Sequence, residues 1–406
     1  MRSVRETLRD LLPAPLRERY HRLALARDFG IDRRRGRREP TRIDPRREPG
    51  LNVIGYFGLP TGLGESARSV ANAAERAGLH VARRDVSPGA SRPEEAPYDV
   101  NLYHVNADGA AATVEEVGPR QHAGRANVGY WYWETESFPE RWRDRFDYFD
   151  EIWVATEFCR RAIAPVSPIP VRLVSPAVEP PEGRQDPKIA AGIDASDFLV
   201  LSVFDALSVA ERKNPLGTVR AFARAFGDQP RAHLLLQVSH AEHVAGLLER
   251  LRQAGLGARV TIRTGTLERA DLENLLAACD VYVSLHRAEG FGLPIAEAMA
   301  AGKPVVVTDY SGSVDYLDES TGFPVRWQYA ELSQGIRDYA RGTRWADPDE
   351  ADAARLLRRV FEDPGEAARR GQAARLRMEE RYGPEAAGRR IVSALGELRE
   401  RLRATA

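Results

Sequence analysis

Two glutamates with seven residues between them bracket a pair of glycines in Glu289-Gly290-Phe291-Gly292-Leu293-Pro294-Ile295-Ala296-Glu297. Gly290 and Gly292 let a chain turn sharply and approach a ligand with no Cβ in the way. Pro294 suits the first turn of a helix, where a missing N–H costs nothing. The first N–H groups of a helix have no partner within it, and its dipole adds positive potential. Backbone from Gly290 to Leu293, through Phe291 and Gly292, is therefore an anion site, with phosphate its natural guest. Carboxylates hold phosphate poorly but grip hydroxyls well. Glu289 and Glu297 thus point to a ligand that flanks phosphate with hydroxyls, as a nucleotide sugar does. For the short Glu-Gly-x-Gly core alone, the alternative is an ordinary βαβ turn with two solvated glutamates.

Four further groups carry chemistry. Arg212-Lys213 stands just before Asn214-Pro215 and a helical stretch; lysine is a compact phosphate-binding charge and arginine a planar fork. Gly62-Leu63-Gly64 forms a glycine-rich turn after an apolar run, where open α/β sheets bind ligands. His104, Asn106 and Asp108 follow another run, and Trp133, Glu134 and Glu136 end an aromatic one. These are either site residues or, for the first set, a satisfied loop cluster and, for the aromatics, core.

The elements that must position these groups alternate strand and helix. In the first half, strands are expected over 51–57, from Val81, and over 99–106, 127–133, 152–155 and 173–178, with a helix over 65–76 and a Pro180-Pro181 linker. The second half opens with a buried strand over 198–204. There follow helix 216–226, strand 233–238, helix 241–252, strand 260–263, a Thr264–Leu267 loop and a helix to Ala277. Val281, Val283 and Leu285 read as a buried parallel strand leading to the glycine loop. Gly302 closes the helix after that loop, and 305–307 is the next strand. Trp345 to Pro348 is expected to begin a helical C-terminal region. Its last helix, from Pro384, sets Ile391, Leu395, Leu398 and Leu402 on one face. The domains expected are a basic extension (1–49), two α/β units (50–179 and 180–383) and a crossing helix (384–406).

At 406 residues, 43% hydrophobic and 29% charged, the chain can build two cores. Its formal net charge is zero, which argues against a nucleic-acid binder. Cys159 and Cys279 show no metal-ligand or disulfide pattern, as expected of a reducing compartment. No apolar run approaches the roughly 18 residues of a spanning helix, and no signal peptide is evident, so a cytoplasmic protein is expected. Residues 1–49 hold 15 arginines against 8 acids, a local charge of +7 that the remainder balances. Helices are expected over 1–12 and 16–29, followed by a basic cluster at 33–38. Such a cluster is drawn to anionic lipid by about 1 kcal/mol per charge; the alternative is a solvated arm or a helix packed on the first domain. No aromatic platform accompanies the arginines, against a nucleic-acid role.

The stretch 280–308 resembles the donor-site signature of family 4 retaining glycosyltransferases, and 51–78 and 127–158 resemble parts of the same family; 1–49 does not. The resemblance implies the α/β GT-B fold: two facing Rossmann-like domains with a cleft between them and a C-terminal helix crossing back. It implies hexose transfer from a nucleotide diphosphate sugar, GDP-mannose or a UDP-sugar, with no cofactor; no DxD-type motif stands at a strand end, so metal independence is expected. The acceptor would be a glycan or lipid-linked saccharide; within the family the chain resembles bacterial surface-polysaccharide mannosyltransferases. Lys213 and Arg212 would steady the leaving diphosphate, Glu289 the sugar hydroxyls and Glu297 the ribose. Gly62 and Gly64 would face the cleft, and Thr266 and Leu267 would border the base. Relatives place the arginine several residues earlier, where this chain has Asp205 to Leu207, so Arg212 would have to replace it. Two rivals remain: an epimerising or sugar-phosphate enzyme using Glu134 with His104, and a non-catalytic nucleotide-sugar-binding subunit docked by its basic arm.

Overall fold

The computed structural model describes residues 28–31, 41–90, 96–183, 188 and 193–405. The helix expected over 1–12, most of that over 16–29, and the cluster at 33–38 lie outside the described residues. Strands β1 (Glu48–Gly55), β2 (Val81–Asp85), β3 (Tyr98–His104), β4 (Ala126–Trp131), β5 (Glu151–Val154) and β6 (Val171–Leu173) form one parallel sheet, ordered β2-β1-β3-β4-β5-β6. A second parallel sheet, ordered β12-β11-β10-β7-β8-β9, is built from β7 (Phe198–Asp205), β8 (Ala232–Ser239), β9 (Val260–Thr264), β10 (Val281–Ser284), β11 (Val305–Thr308) and β12 (Phe323–Val325). Helices cover both faces, so inner strands are buried end to end, as every residue of β4 and β5 is.

In each sheet the first strand lies inside the order, β1 between β2 and β3, and β7 between β8 and β10. Chain direction around the sheet reverses there, which opens a crevice at the strands' carboxyl ends. The loops after β1, β3 and β4 thus meet those after β7 and β10.

Three expectations are corrected. Residues 344–348 are not helical: β14 (Arg344–Pro348) pairs antiparallel with β13 (Trp327–Glu331). The helix begins at Glu350, where the Asp349 carboxylate accepts from Ala351 and Asp352 N–H. The helix expected over 241–252 is broken at Gly246, which holds φ +65°, leaving a turn and the shorter Leu247–Ala254 helix. The strand expected to reach Val178 stops at Leu173, because Pro176 has no N–H to give a ladder; Val178 N–H donates instead to Tyr382 O at 2.7 Å.

The Pro384–Thr405 helix crosses to the first domain. Ile391, Leu395 and Leu398 are fully buried, and Arg399 forks onto Asp99 at the start of β3, with Nη2 to Oδ1 at 2.7 Å and Nε to Oδ2 at 2.8 Å.

Candidate active site

The glycine loop follows β10 as expected and is held by its carbonyls. Arg212 Nη1 donates to Ala288 O at 2.7 Å, Gly312 N–H to Glu289 O at 2.9 Å, and Tyr316 Oη to Phe291 O at 2.5 Å. Gly292, at φ +84°, turns the chain into the Leu293–Ala300 helix with Pro294 in its first turn. The Phe291 ring is buried against Tyr316 and Tyr382, with centroids 5.4 and 6.0 Å away. Only its backbone is left to the cleft.

Beside the loop lies a buried charge cluster. Glu289 gives Oε1 to Lys213 Nζ and Oε2 to Arg212 Nη1, the latter at 3.2 Å. Burial alone would raise the Glu289 carboxyl, but the Lys213 and Arg212 charges overcome it and hold it down at about 2. Burial lowers Lys213 below the ordinary lysine value, with Glu289 pulling the other way. Arg212 Nη2 also lies 3.9 Å from Glu134 Oε1, and Tyr339 donates its hydroxyl to Glu134 Oε2 at 2.9 Å. The segment carrying both cations is set by two left-handed residues, Val209 (φ +64°) and Asn214 (φ +50°). Asn214 accepts from Gly217 N–H at 3.3 Å and donates to Leu285 O at 3.0 Å, tying the cations to the end of β10.

These groups line a cavity of about 490 Å³ between the domains. Gly62 and Glu134 contribute from the first domain; Arg212, Lys213, Thr266, Leu267 and the loop Glu289 to Leu293 from the second. Arg212 thus stands in the cleft with Nη1 shared between Ala288 O and Glu289, while Asp205 caps Leu207 N–H and bonds His240, each at 2.9 Å.

His104, Gly64 and Glu297 do not line this cavity, nor do Asp108, Trp133 and Glu136. His104 is fully buried behind it, stacked on Tyr130 at 4.4 Å and bonded to Ser66 Oγ at 2.9 Å. Burial lowers its imidazole to about 4, and Ser66 in turn shares a hydrogen bond with Tyr132 Oη at 2.5 Å. His104 is therefore a support for Tyr132, which does line the cleft, and no acid–base partner to Glu134 across it. Gly64 is a packing glycine: a Cβ would strike the carbonyls of Tyr56 and Leu59. Glu297 opens on an adjoining cavity of about 640 Å³ with Arg269, whose Nη1 meets its Oε1 at 2.7 Å. Burial pushes Glu297 up to about 7, against the pull of Arg269. Glu289 also differs from expectation: both oxygens are committed to cations, since a buried carboxylate needs paired charge.

Tyr132, Tyr339, Arg269 and Ser311 were not singled out for these roles by sequence. Ser311, in left-handed conformation (φ +69°), accepts from Glu289 N–H at 2.8 Å. Asp315, farther along the same turn, accepts from Glu157 N–H at 2.6 Å. Their partners lie far along the chain, so local pattern carries no trace of them, except for Tyr132 within the aromatic run.

Comparison with known proteins agrees with this architecture. The fold resembles sucrose-phosphate synthase from Thermosynechococcus elongatus (TM-score 0.62, 19% identity, covering 88% of this chain and 100% of that one). It also resembles Anabaena Alr3699/HepE in complex with UDP and glucose (TM-score 0.62, 17% identity, 86% and 100% covered). In sequence, 86 residues are 38% identical to the lipopolysaccharide core biosynthesis mannosyltransferase LpsB of Rhizobium meliloti (strain 1021), 20% of this chain and 24% of that protein. A further 120-residue match, 32% identical, is to glycogen synthase of Mycobacterium tuberculosis, 30% of this chain and 24% of the relative. The chain thus spans about a quarter of these curated relatives' length. The model of family 4 glycosyltransferases in conflict systems matches residues 155–391, more than half of the chain, from the helix after β5 through the charge cluster and glycine loop to the crossing helix. The chain belongs to this family 4 glycosyltransferase family.

Proposed function

We propose that the protein is a retaining, metal-independent hexosyltransferase that moves a sugar, mannose foremost, from GDP-mannose or a UDP-sugar to a glycan or lipid-linked acceptor in surface-polysaccharide synthesis. The observation that carries this reading is the pairing of Lys213 and Arg212 with Glu289 beside the glycine loop, inside a cleft of about 490 Å³. As the bond from the anomeric carbon to the phosphate oxygen breaks, negative charge grows on the diphosphate. The loop N–H groups, and Lys213 once it exchanges Glu289 for the diphosphate, take up that charge. Glu289 then keeps Arg212 paired while its freed oxygen faces the sugar. The acceptor oxygen bonds to the anomeric carbon, and its proton leaves with the diphosphate. In this reading residues 50–179 hold the acceptor and 180–383 the donor. The mannose choice is supported by the LpsB match. A charge of +7 over residues 1–49 supports contact of that arm with an anionic membrane surface, on the cytoplasmic side.

A panel of nucleotide sugars screened by thermal shift tests the donor, since a ligand at 100 times its Kd stabilises by roughly 2.7 kcal/mol. GDP-mannose or one UDP-sugar should raise Tm, and Lys213→Ala should cut transfer by about 100-fold or more. Full transfer by Lys213→Ala and by Glu289→Ala would rule the mechanism out.

A further inference from the structure

One carbonyl of the glycine loop is held from the other domain. Thr156 follows β5, is fully buried, and donates its Oγ1 hydrogen to Gly290 O at 2.8 Å. Cys159 Sγ, one turn on, reaches the same oxygen at 3.3 Å. Burial raises that thiol to about 12, so it keeps its proton, which Gly290 O shares with Trp133 O, 3.1 Å from the sulfur. The next residue, Glu157, gives its N–H to Asp315 Oδ2 at 2.6 Å, fixing the same helix start on the second domain at another point. Gly312 closes the back of the loop, where a Cβ would sit 2.7 Å from Gly290 C.

A trans peptide points its N–H opposite to its C=O. With Gly290 O drawn toward Thr156 and away from the cleft, the Phe291 N–H of the same peptide faces into it. The Phe291 ring is buried in the core, consistent with its backbone being what lines the cavity. We propose that Thr156 is a positioning residue for the donor site: from the first domain it orients the Gly290–Phe291 peptide so that Phe291 N–H meets the donor's diphosphate. Domain apposition and the anion site are then one event, because parting the domains breaks the Thr156 bond and frees the peptide to rotate. This rests on the donor reading above.

Thr156 also caps the Glu157–Ile163 helix, its Oγ1 accepting from Cys159 N–H at 3.2 Å, so the test must separate aim from stability. Calorimetric titration of the full chain with UDP, GDP, uridine and guanosine does so. Thr156→Val should weaken the preferred nucleoside diphosphate about tenfold, as loss of one well-aimed hydrogen bond to a charged group implies, and leave its nucleoside unchanged. Thr156→Ser, which keeps the hydroxyl, should restore diphosphate binding. Equal diphosphate affinity in Thr156→Val and wild type overturns the proposal, as does equal loss for nucleoside and diphosphate. Should the valine variant fail to fold, Cys159→Ala reads the same peptide with the cap intact: about threefold weaker diphosphate binding is expected, and unchanged binding counts against the idea. A wild-type protein that binds neither diphosphate would instead remove the donor reading, and this inference with it.

Discussion

Glu289 is the residue on which the cleft's charge balance turns. It lies between two buried cations, one on each carboxylate oxygen. Replacing it with glutamine leaves Lys213 and Arg212 without their counter-charge, a change that costs about 3–5 kcal/mol when a buried pair is broken. The pH dependence has a definite sign. Its folded value, about 2, lies below the ordinary glutamate value of about 4.3. Its contribution is therefore complete above that ordinary value and is lost as pH falls toward the folded one. Urea midpoints for wild type and Glu289→Gln should differ widely at neutral pH, begin to converge below about pH 4 and meet only near the folded value of about 2. A gap that stays constant through the acid range would contradict this ionic role. The same pairing explains how a donor gains entry. In the proposed reaction a diphosphate offers Lys213 a second, anionic partner and releases the Glu289 oxygen that Lys213 holds.

At the scale of elements, the segment between β7 and the Pro215–Phe226 helix aims both cations. Its last residue, Asn214, combines a left-handed backbone with a side chain that caps the helix and holds Leu285 O. Alanine would meet the left-handed penalty of about 1–2 kcal/mol and lose a cap worth roughly 1 kcal/mol. Asn214→Ala should therefore lower stability by about 2–3 kcal/mol in chemical denaturation and reduce transfer more than binding of nucleoside alone. A variant with wild-type stability and turnover would show that the cations are held by other means. What sequence made legible at this scale follows from locality. The parallel strands announce themselves as apolar runs because they are buried on both faces. The glycine loop, its proline and its two glutamates lie within nine consecutive residues. The β13–β14 hairpin gives no such signal. Tyr329 is half exposed, and the hairpin's polar groups answer to the first domain: Tyr329 Oη donates to Glu136 at 2.7 Å, Arg344 to Glu136 at 3.1 Å, and Arg141 to Asp338 at 2.6 Å. His104 misleads for the same reason. A polar residue at a strand end looks like a site until tertiary packing covers it.

The whole molecule depends on keeping two domains apposed, and the terminal helix is the element that spans them. Gly388 sits where this helix meets the Gly62–Arg76 helix; a Cβ there would lie 2.7 Å from Ala73 O and 2.8 Å from Ala77 Cβ. Beyond it, Arg399 and Arg401 anchor onto Asp99 and Glu151 at the starts of β3 and β5, with Arg401 Nη2 2.8 Å from Glu151 Oε2. Glycine within a helix costs about 1 kcal/mol against alanine, so propensity alone would favour a larger residue. Close approach to a backbone carbonyl, which cannot move aside, opposes it, and overpacking of this kind costs about 1–3 kcal/mol. Gly388→Leu should therefore lower Tm despite its better helix propensity. It should also weaken nucleoside diphosphate binding, because Thr156 and Gly62 reach the donor cleft only when the first domain is seated. The two effects have a common cause, so Gly388→Ala, which adds the Cβ alone against Ala73 O, should show both together in smaller measure. Loss of Tm with diphosphate affinity intact would show that the helix serves stability alone and that the donor half of the cleft stands without its partner.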